Sequence, residues 1–224
     1  PDMDVTAPLL NGPGLAVLAV KVVNGADDAE RAVSYWADEG VDSYKAYMHI
    51  RRDELQRIIE VAHRRSRKVT AHLCSVTFAE ASAMGIDNLE HGFAFASDFV
   101  TDKQADACPA AITRSLADLD VDSPRMRALI DLLVARKVAL TSTLPVFETL
   151  VAQRPKVPEA ALSLLLPEVR EQYEAGWASM QAKPADWEWA RLFPKLGQWE
   201  KRFVDAGGLL LAGTDPTGYG GVIP

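Results

Sequence analysis

The stretch Gly208-Leu-Leu-Leu-Ala-Gly-Thr-Asp-Pro-Thr-Gly218 decides the fold. A buried-type apolar run ends on Asp215, and a proline and glycines follow at once. The carboxylate therefore stands at the carboxyl end of a strand, where the backbone leaves the core. In parallel α/β proteins chemistry is placed at that end of the sheet. Three earlier strand-like runs stop in the same manner, on Lys45, His72 and His91. Each of these side chains binds a metal or can be converted into a group that does.

Working outward, short apolar runs alternate with segments of period near 3.6. A helix opens at Asp27 and Asp28 and keeps Ala29, Ala32, Val33, Trp36 and Ala37 on one face until Gly40 stops it. Another opens at Asp53 with Leu55, Ile58, Ile59 and Ala62 as its apolar stripe. Strands are expected at 42–48, 68–73, 86–91, 137–144 and 209–214. A strand end is expected at 3–7, a Gly/Pro-rich loop at 11–14, and a strand or ordered loop at 15–23. Residues 77–83 read as a short helix and 93–123 as a long loop. A helix opens at Pro124, and a helix near 196–206 leads into the last strand. Residues 146–195, rich in Leu, Trp, Pro and Glu, read as a helical insertion in a single domain spanning 1–224.

Alternation of this regularity means parallel strands joined by crossover helices. A doubly wound sheet and a barrel both satisfy it. No Gly-x-Gly-x-x-Gly turn and no Gly-x-x-x-x-Gly-Lys-Ser/Thr loop follows any strand, so the nucleotide-binding open sheets lose ground. The expected fold is a partial (β/α)8 TIM-type barrel.

A net charge of −7 argues against nucleic acid, which needs clustered Lys and Arg. No stretch approaches the length of a membrane span. The run Arg64-Arg65-Ser66-Arg67-Lys68 reads as the solvated, dipole-matched end of a helix. Cys74 and Cys108 are too few for a disulfide framework, and Cys74, two residues past His72, reads as a plain buried thiol. The chain starts on Pro1 and stops at Gly-Gly-Val-Ile-Pro, which reads as a fragment and leaves the compartment open.

The four strand ends have a joint chemistry. A lysine within a strand is seldom buried unpaired; it either snorkels, pairs with a carboxylate, or loses its charge. A neutral Lys45 amine reacts with carbon dioxide to give a carbamate, long enough to bridge two metals. His72 and His91 on consecutive strand ends point into one mouth, and neutral imidazole is a common zinc ligand. Gly92 lets the backbone turn sharply behind His91. Asp215 beside an activated water can ligate and take its proton. Of the other histidines, His63 belongs to a helix and His49 to a loop within reach of substrate.

The order Lys, His, His, Asp resembles the amidohydrolase superfamily of metal-dependent hydrolases. Ser43-Tyr44-Lys45-Ala46-Tyr47-Met48, Thr70-Ala71-His72-Leu73, Leu89-Glu90-His91-Gly92 and Ala212-Gly213-Thr214-Asp215 resemble its imidazolonepropionase-like and Xaa-Pro dipeptidase-like branch. The likeness runs over nearly the whole chain, from the third to the eighth strand of such a barrel. It implies two Zn2+ ions bridged by carboxylated Lys45. His72 and His91 would bind the exposed ion, and Asp215 the buried ion while shuttling the proton. The implied substrate is a small-molecule amide such as a dipeptide, an N-acyl amino acid or a cyclic amide. Tyr47, Tyr219 and His49 are candidates for orienting it. The family's His-x-His pair for the buried ion is absent from this chain. The insertion 146–195 either covers the mouth or forms a contact between copies in a homo-oligomer. Two other readings stand beside this one: a metal-free barrel lyase or aldolase using Lys45 as a Schiff base, and a non-catalytic barrel serving as a binding module.

Overall fold

The computed structural model of the chain describes residues 3–14, 20–152 and 154–215. Seven strands form one sheet: β1 (Leu9–Asn11), β2 (Val20–Val22), β3 (Ser43–Ala46), β4 (Lys68–Ala71), β5 (Asn88–Glu90), β6 (Ala139–Ser142) and β7 (Leu210–Ala212). Every pairing is parallel and the order is β2-β1-β3-β4-β5-β6-β7. From β3 onward strand follows neighbouring strand, the sequence of a barrel wall. Among the described residues β2 and β7 are each paired on one side only.

Nine helices are described: α1 (Ala26–Asp38), α2 (Arg52–Arg64), α3 (Phe78–Met84), α4 (Ile112–Asp118), α5 (Pro124–Ala135), α6 (Leu144–Glu148), α7 (Glu159–Leu162), α8 (Pro167–Gln181) and α9 (Glu188–Asp205). Helices α1, α2, α3, α5 and α9 contribute apolar residues to the main core, which also holds the buried residues of the strands. Leu10, Ala46, Ala71, Leu89 and Leu140 are in register across five strands, and each is fully buried. A leucine withdrawn from water in this way contributes about 1.5–3 kcal/mol relative to an exposed one. Tyr44 lies on the same face, and its hydroxyl donates to the Val33 carbonyl of α1 at 2.7 Å. The alternate residues, Lys45, Thr70, Asn88, Glu90 and Thr141, therefore share the opposite face of the sheet.

Local signals set the helix ends. Thr77 Oγ1 accepts from the Glu80 amide at 3.1 Å, Glu80 accepts in return from the Thr77 amide at 2.9 Å, and Gly85 ends α3 in the left-handed conformation. Buried Glu54 accepts from the Arg51 amide at 2.9 Å and from the Gly25 amide at 2.8 Å, tying α2 to the start of α1.

Several expectations need correction. The first strand is Leu9–Asn11, whereas residues 3–7 carry a single bridge, Thr6 to Ser43. Leu9 and Leu10 lie beside the expected loop at 11–14; pairing with β3 on one side and β2 on the other draws them into the sheet. The strand placed at 15–23 is confined, among the described residues, to Val20–Val22. The segment 93–123 is not all loop, since α4 lies in it and packs on α9. Helix α9 starts at Glu188, inside the stretch assigned to the insertion, and α7 and α8 carry a small separate core of Val157, Leu162 and Tyr173. The basic run 64–68 lies at the solvated end of α2 as expected, and it also forms ion pairs that were not expected, Arg64–Glu30, Arg65–Asp38, Arg67–Asp42 and Lys68–Asp87.

Cys74 is not a free thiol. It is bonded to Cys108, with a Cα–Cα distance of 4.8 Å across 34 residues of sequence. The turn after β4 and the segment before α4 meet at one end of the sheet, a proximity no local pattern encodes. A cross-link of that loop length stabilises by about 2–4 kcal/mol, chiefly by restricting the unfolded chain. Reduction, or Cys108→Ser, should lower the urea midpoint accordingly; coincident midpoints for oxidised and reduced chains would contradict this.

Candidate active site

The carboxyl ends of β3, β4, β5 and β7 bring the named residues together. His72 follows β4 directly and His91 follows β5, with ring centroids 4.3 Å apart at 70°. Both are buried, at 8% and 4% exposure. Burial, followed by the His91 and Lys45 charges, drives the His72 pKa down to about 2. Burial also lowers that of His91, against the raising effect of Asp215 and Glu90. Both imidazoles are therefore neutral in ordinary buffer, the form that offers a lone pair. His72 Nε2 is buried with no hydrogen-bond partner.

His91 has its orientation fixed from behind. Its Nδ1 is 2.8 Å from Thr143 Oγ1 and 3.8 Å from Asp215 Oδ2. With Nδ1 held by the threonine, Nε2 is the nitrogen left for a ligand. His91 has φ 70, Gly92 φ 56 and Asp215 φ 47, so the two strand ends that carry the pair are left-handed turns. Gly92 is needed for a second reason. A Cβ there would lie 2.1 Å from Oε1 of Glu200, a buried carboxyl on α9 held by Ser142 Oγ at 2.8 Å. Gly92→Ala combines that overlap with a disfavoured φ, and should cost roughly 2–4 kcal/mol. Urea unfolding measures it; a loss below about 0.5 kcal/mol would mean the turn re-forms freely.

Lys45 projects from β3 onto that opposite face of the sheet and forms an ion pair with Glu90 of β5. Glu90 also accepts from Thr70 Oγ1 at 3.0 Å, and Asn88 Nδ2 donates to Thr70 Oγ1 at 2.7 Å and to Thr141 Oγ1 at 2.9 Å. A polar chain thus crosses four strands beneath the histidines. The lysine has a carboxylate partner here, one of the alternatives open for a mid-strand lysine; a carbamate on Lys45 requires Glu90 to swing off it, since two anions would otherwise face each other.

Tyr47, Phe95 and Phe147 surround the pair. The Tyr47 ring meets His72 edge-on at 5.0 Å, and burial pushes its hydroxyl pKa up. Phe95 lies 4.2 Å from His72 and 5.5 Å from His91, and Phe147 of α6 stands 6.0 Å from His91. His49 makes no ring contact with this group among the described interactions. Its amide donates to Asn11 Oδ1 at 2.7 Å, and its side chain lines a cleft of about 250 Å³ with Pro13, Arg51, Asp106, Ala107 and Cys108. His63 belongs to the surface of α2, paired with Asp87 at 2.8 Å. Tyr219 lies outside the described residues.

Glu90, Thr143, Phe95 and Phe147 have no assignment from sequence reasoning. Glu90 is inside the quoted Leu-Glu-His-Gly word, where strand alternation alone places it on the Lys45 face. Thr143 and Phe147 had no signal, because their contacts with His91 join residues far apart in the chain, and Phe95, four residues past His91, lay in a stretch read as loop.

The chemistry of the donor set fits a divalent cation in part. Two neutral histidines with one orphaned ring nitrogen suit zinc or a similar ion. Among the described residues no group of three or more His, Cys, Asp and Glu side chains is arranged to hold a metal.

No family model and no curated protein matches the chain. Solved structures do. A bottromycin amidohydrolase superposes with a TM-score of 0.66 and 24% identity, covering 94% of this chain and 46% of that one. A candidate prolidase from Bifidobacterium longum gives 0.54 and 17% identity, covering 95% and 44%. An amidohydrolase gives 0.52 and 17% identity, covering 95% and 45%. The chain therefore has the fold of solved amidohydrolases, as its strand-end words lead one to expect, and spans somewhat under half the length of the structures it matches.

Proposed function

We propose that the whole protein is a metal-dependent hydrolase of the amidohydrolase superfamily that cleaves an amide C–N bond. The observation that carries this reading is the His72–His91 pair: adjacent, buried, neutral, and with His72 Nε2 facing no partner. A buried imidazole nitrogen left unbonded costs about 1–3 kcal/mol, so a fold that keeps one has a use for it. The solved amidohydrolases of the same fold add support.

His72 Nε2 and His91 Nε2 would hold one divalent cation. Lys45, once carboxylated and released from Glu90, and Asp215 would contribute to a second. A cation bound there acts as a Lewis acid on the scissile carbonyl and acidifies water. The chain's own residues do the rest. Thr143 holds the His91 ring in one orientation, with Nε2 turned away from the threonine. Asp215, at the rim of the pair, takes the proton from attacking water and hands it to the leaving amine nitrogen. The amide C–N bond breaks, giving a carboxylic acid and an amine. Phe95 and Phe147 exclude bulk water from that exchange and strengthen the electrostatics within it.

The substrate is a small amide: a dipeptide, an N-acyl amino acid or a cyclic amide. Among the described residues no helix is long and apolar enough to cross a membrane. The test is elemental analysis of the purified whole protein, with a hydrolysis panel of dipeptides, N-acetyl amino acids and cyclic amides before and after chelation. Metal bound together with chelator-sensitive amide hydrolysis is the expected result. A metal-free protein in which borohydride traps a Lys45 adduct would replace this reading with the Schiff-base lyase. A protein with neither would be a binding module.

A further inference from the structure

Four aromatic side chains from four separate segments converge on the histidine pair. They are Tyr47 after β3, Phe95 after β5, Phe147 on α6 and Trp189 on α9. Phe95 and Phe147 stand 6.0 Å apart, and Trp189 stacks on Phe147 with centroids 5.2 Å apart and planes at 13°. Phe147 is buried, while Tyr47, Phe95 and Trp189 each remain partly exposed. Large aromatic rings left partly open beside the two buried imidazoles form an apolar wall at the place where an amide would sit. None of the four carries a charge. The charged pair of the interior, Lys45 and Glu90, is on the floor of the sheet, one strand layer below.

From this geometry we infer that the site selects amides bearing a bulky apolar group, aliphatic or aromatic, next to the scissile bond. That group lies against Phe95 and the Phe147–Trp189 stack. The claim rests on the hydrolase reading for the position of the amide and goes beyond it in naming the substrate's side chain. Burying a leucine-sized group against such a surface is worth one to two powers of ten in affinity. Rings tolerate aliphatic and aromatic groups alike, since either meets a flat, polarisable face. A charged side chain laid against these rings would lose its hydration without compensation from them.

Trp189 is the informative position, because it reaches the site through Phe147 and makes no ring contact with either histidine among the described interactions. Binding of N-acetyl-L-leucinamide, N-acetyl-L-phenylalaninamide, N-acetylglycinamide and N-acetyl-L-aspartamide to the metal-loaded whole protein, read by calorimetry, tests the inference whether or not any of them is hydrolysed. Leucine and phenylalanine derivatives should bind at least 10-fold more tightly than the glycine derivative, and the aspartate derivative no more tightly than glycine. In Trp189→Ala the leucine-to-glycine ratio should fall at least 3-fold. Equal affinities in the wild-type protein would overturn the inference, even if Trp189→Ala fails to fold. So would a ratio that Trp189→Ala leaves unchanged. The hydrolysis panel stands apart from this: a protein that binds the apolar amides but hydrolyses none keeps the wall and loses the reaction.

Discussion

Asp215→Asn in the whole protein should lower kcat by about 10²–10⁴-fold while leaving KM close to wild type. The substitution is nearly isosteric and asparagine tolerates a left-handed backbone, so the turn at φ 47 survives it. Gly213, two residues earlier, stays tied to β6 through its amide and the Ser142 carbonyl at 2.8 Å. What is lost is the capacity to accept a proton, since an amide oxygen is too weak a base. The carboxylate lies 3.8 Å from His91 Nδ1, close enough to the pair to serve water activated there. Steady-state kinetics with metal analysis separates the roles. A fall in kcat alone marks a proton carrier, and a fall in metal content marks a ligand. Turnover near wild type would take Asp215 out of the mechanism.

His72→Leu should abolish activity, by more than 10³-fold, and yet leave the metal-free protein as stable as wild type or more so by about 1–2 kcal/mol. A structural histidine would behave in the opposite way. The His72 ring is packed among Tyr47, His91 and Phe95 with Nε2 buried and unpaired. Leucine fills a similar volume and removes the unsatisfied nitrogen, a change that is neutral or favourable in an apolar setting. Stability given up at one residue in exchange for function is common at active sites. Urea unfolding of both proteins after chelation, with hydrolysis measured before it, provides the comparison. A loss of more than about 2 kcal/mol would make His72 a packing residue, and retained hydrolysis would remove it from the site.

The strand ends were legible because each is a local event. An apolar run that stops at Asp215, His72 or His91 and meets a breaker, or an Asp opening a helix, needs only neighbours in the chain to be read. The relation of His72 to His91 was legible too, because consecutive parallel strands must place their ends side by side. Harder to read were contacts between segments far apart in the chain, which no local period encodes. Cys74 finding Cys108, Thr143 holding His91, and Trp189 stacking on Phe147 join residues 34, 52 and 42 positions apart. The short strand at Leu9–Asn11 was missed for a similar reason, since three residues next to glycines carry too little propensity to announce a strand until β2 and β3 pair with them.

The sequence by itself determined the parallel α/β class and the four side chains at the ends of its strands, because side-chain alternation and helical period are properties of a few successive residues. Only the tertiary structure decided the state of those side chains. Lys45 is paired with Glu90 because the pleat brings two residues 45 positions apart onto one face. The histidines are neutral because rings from three other segments close over them and remove the water that would solvate a charge.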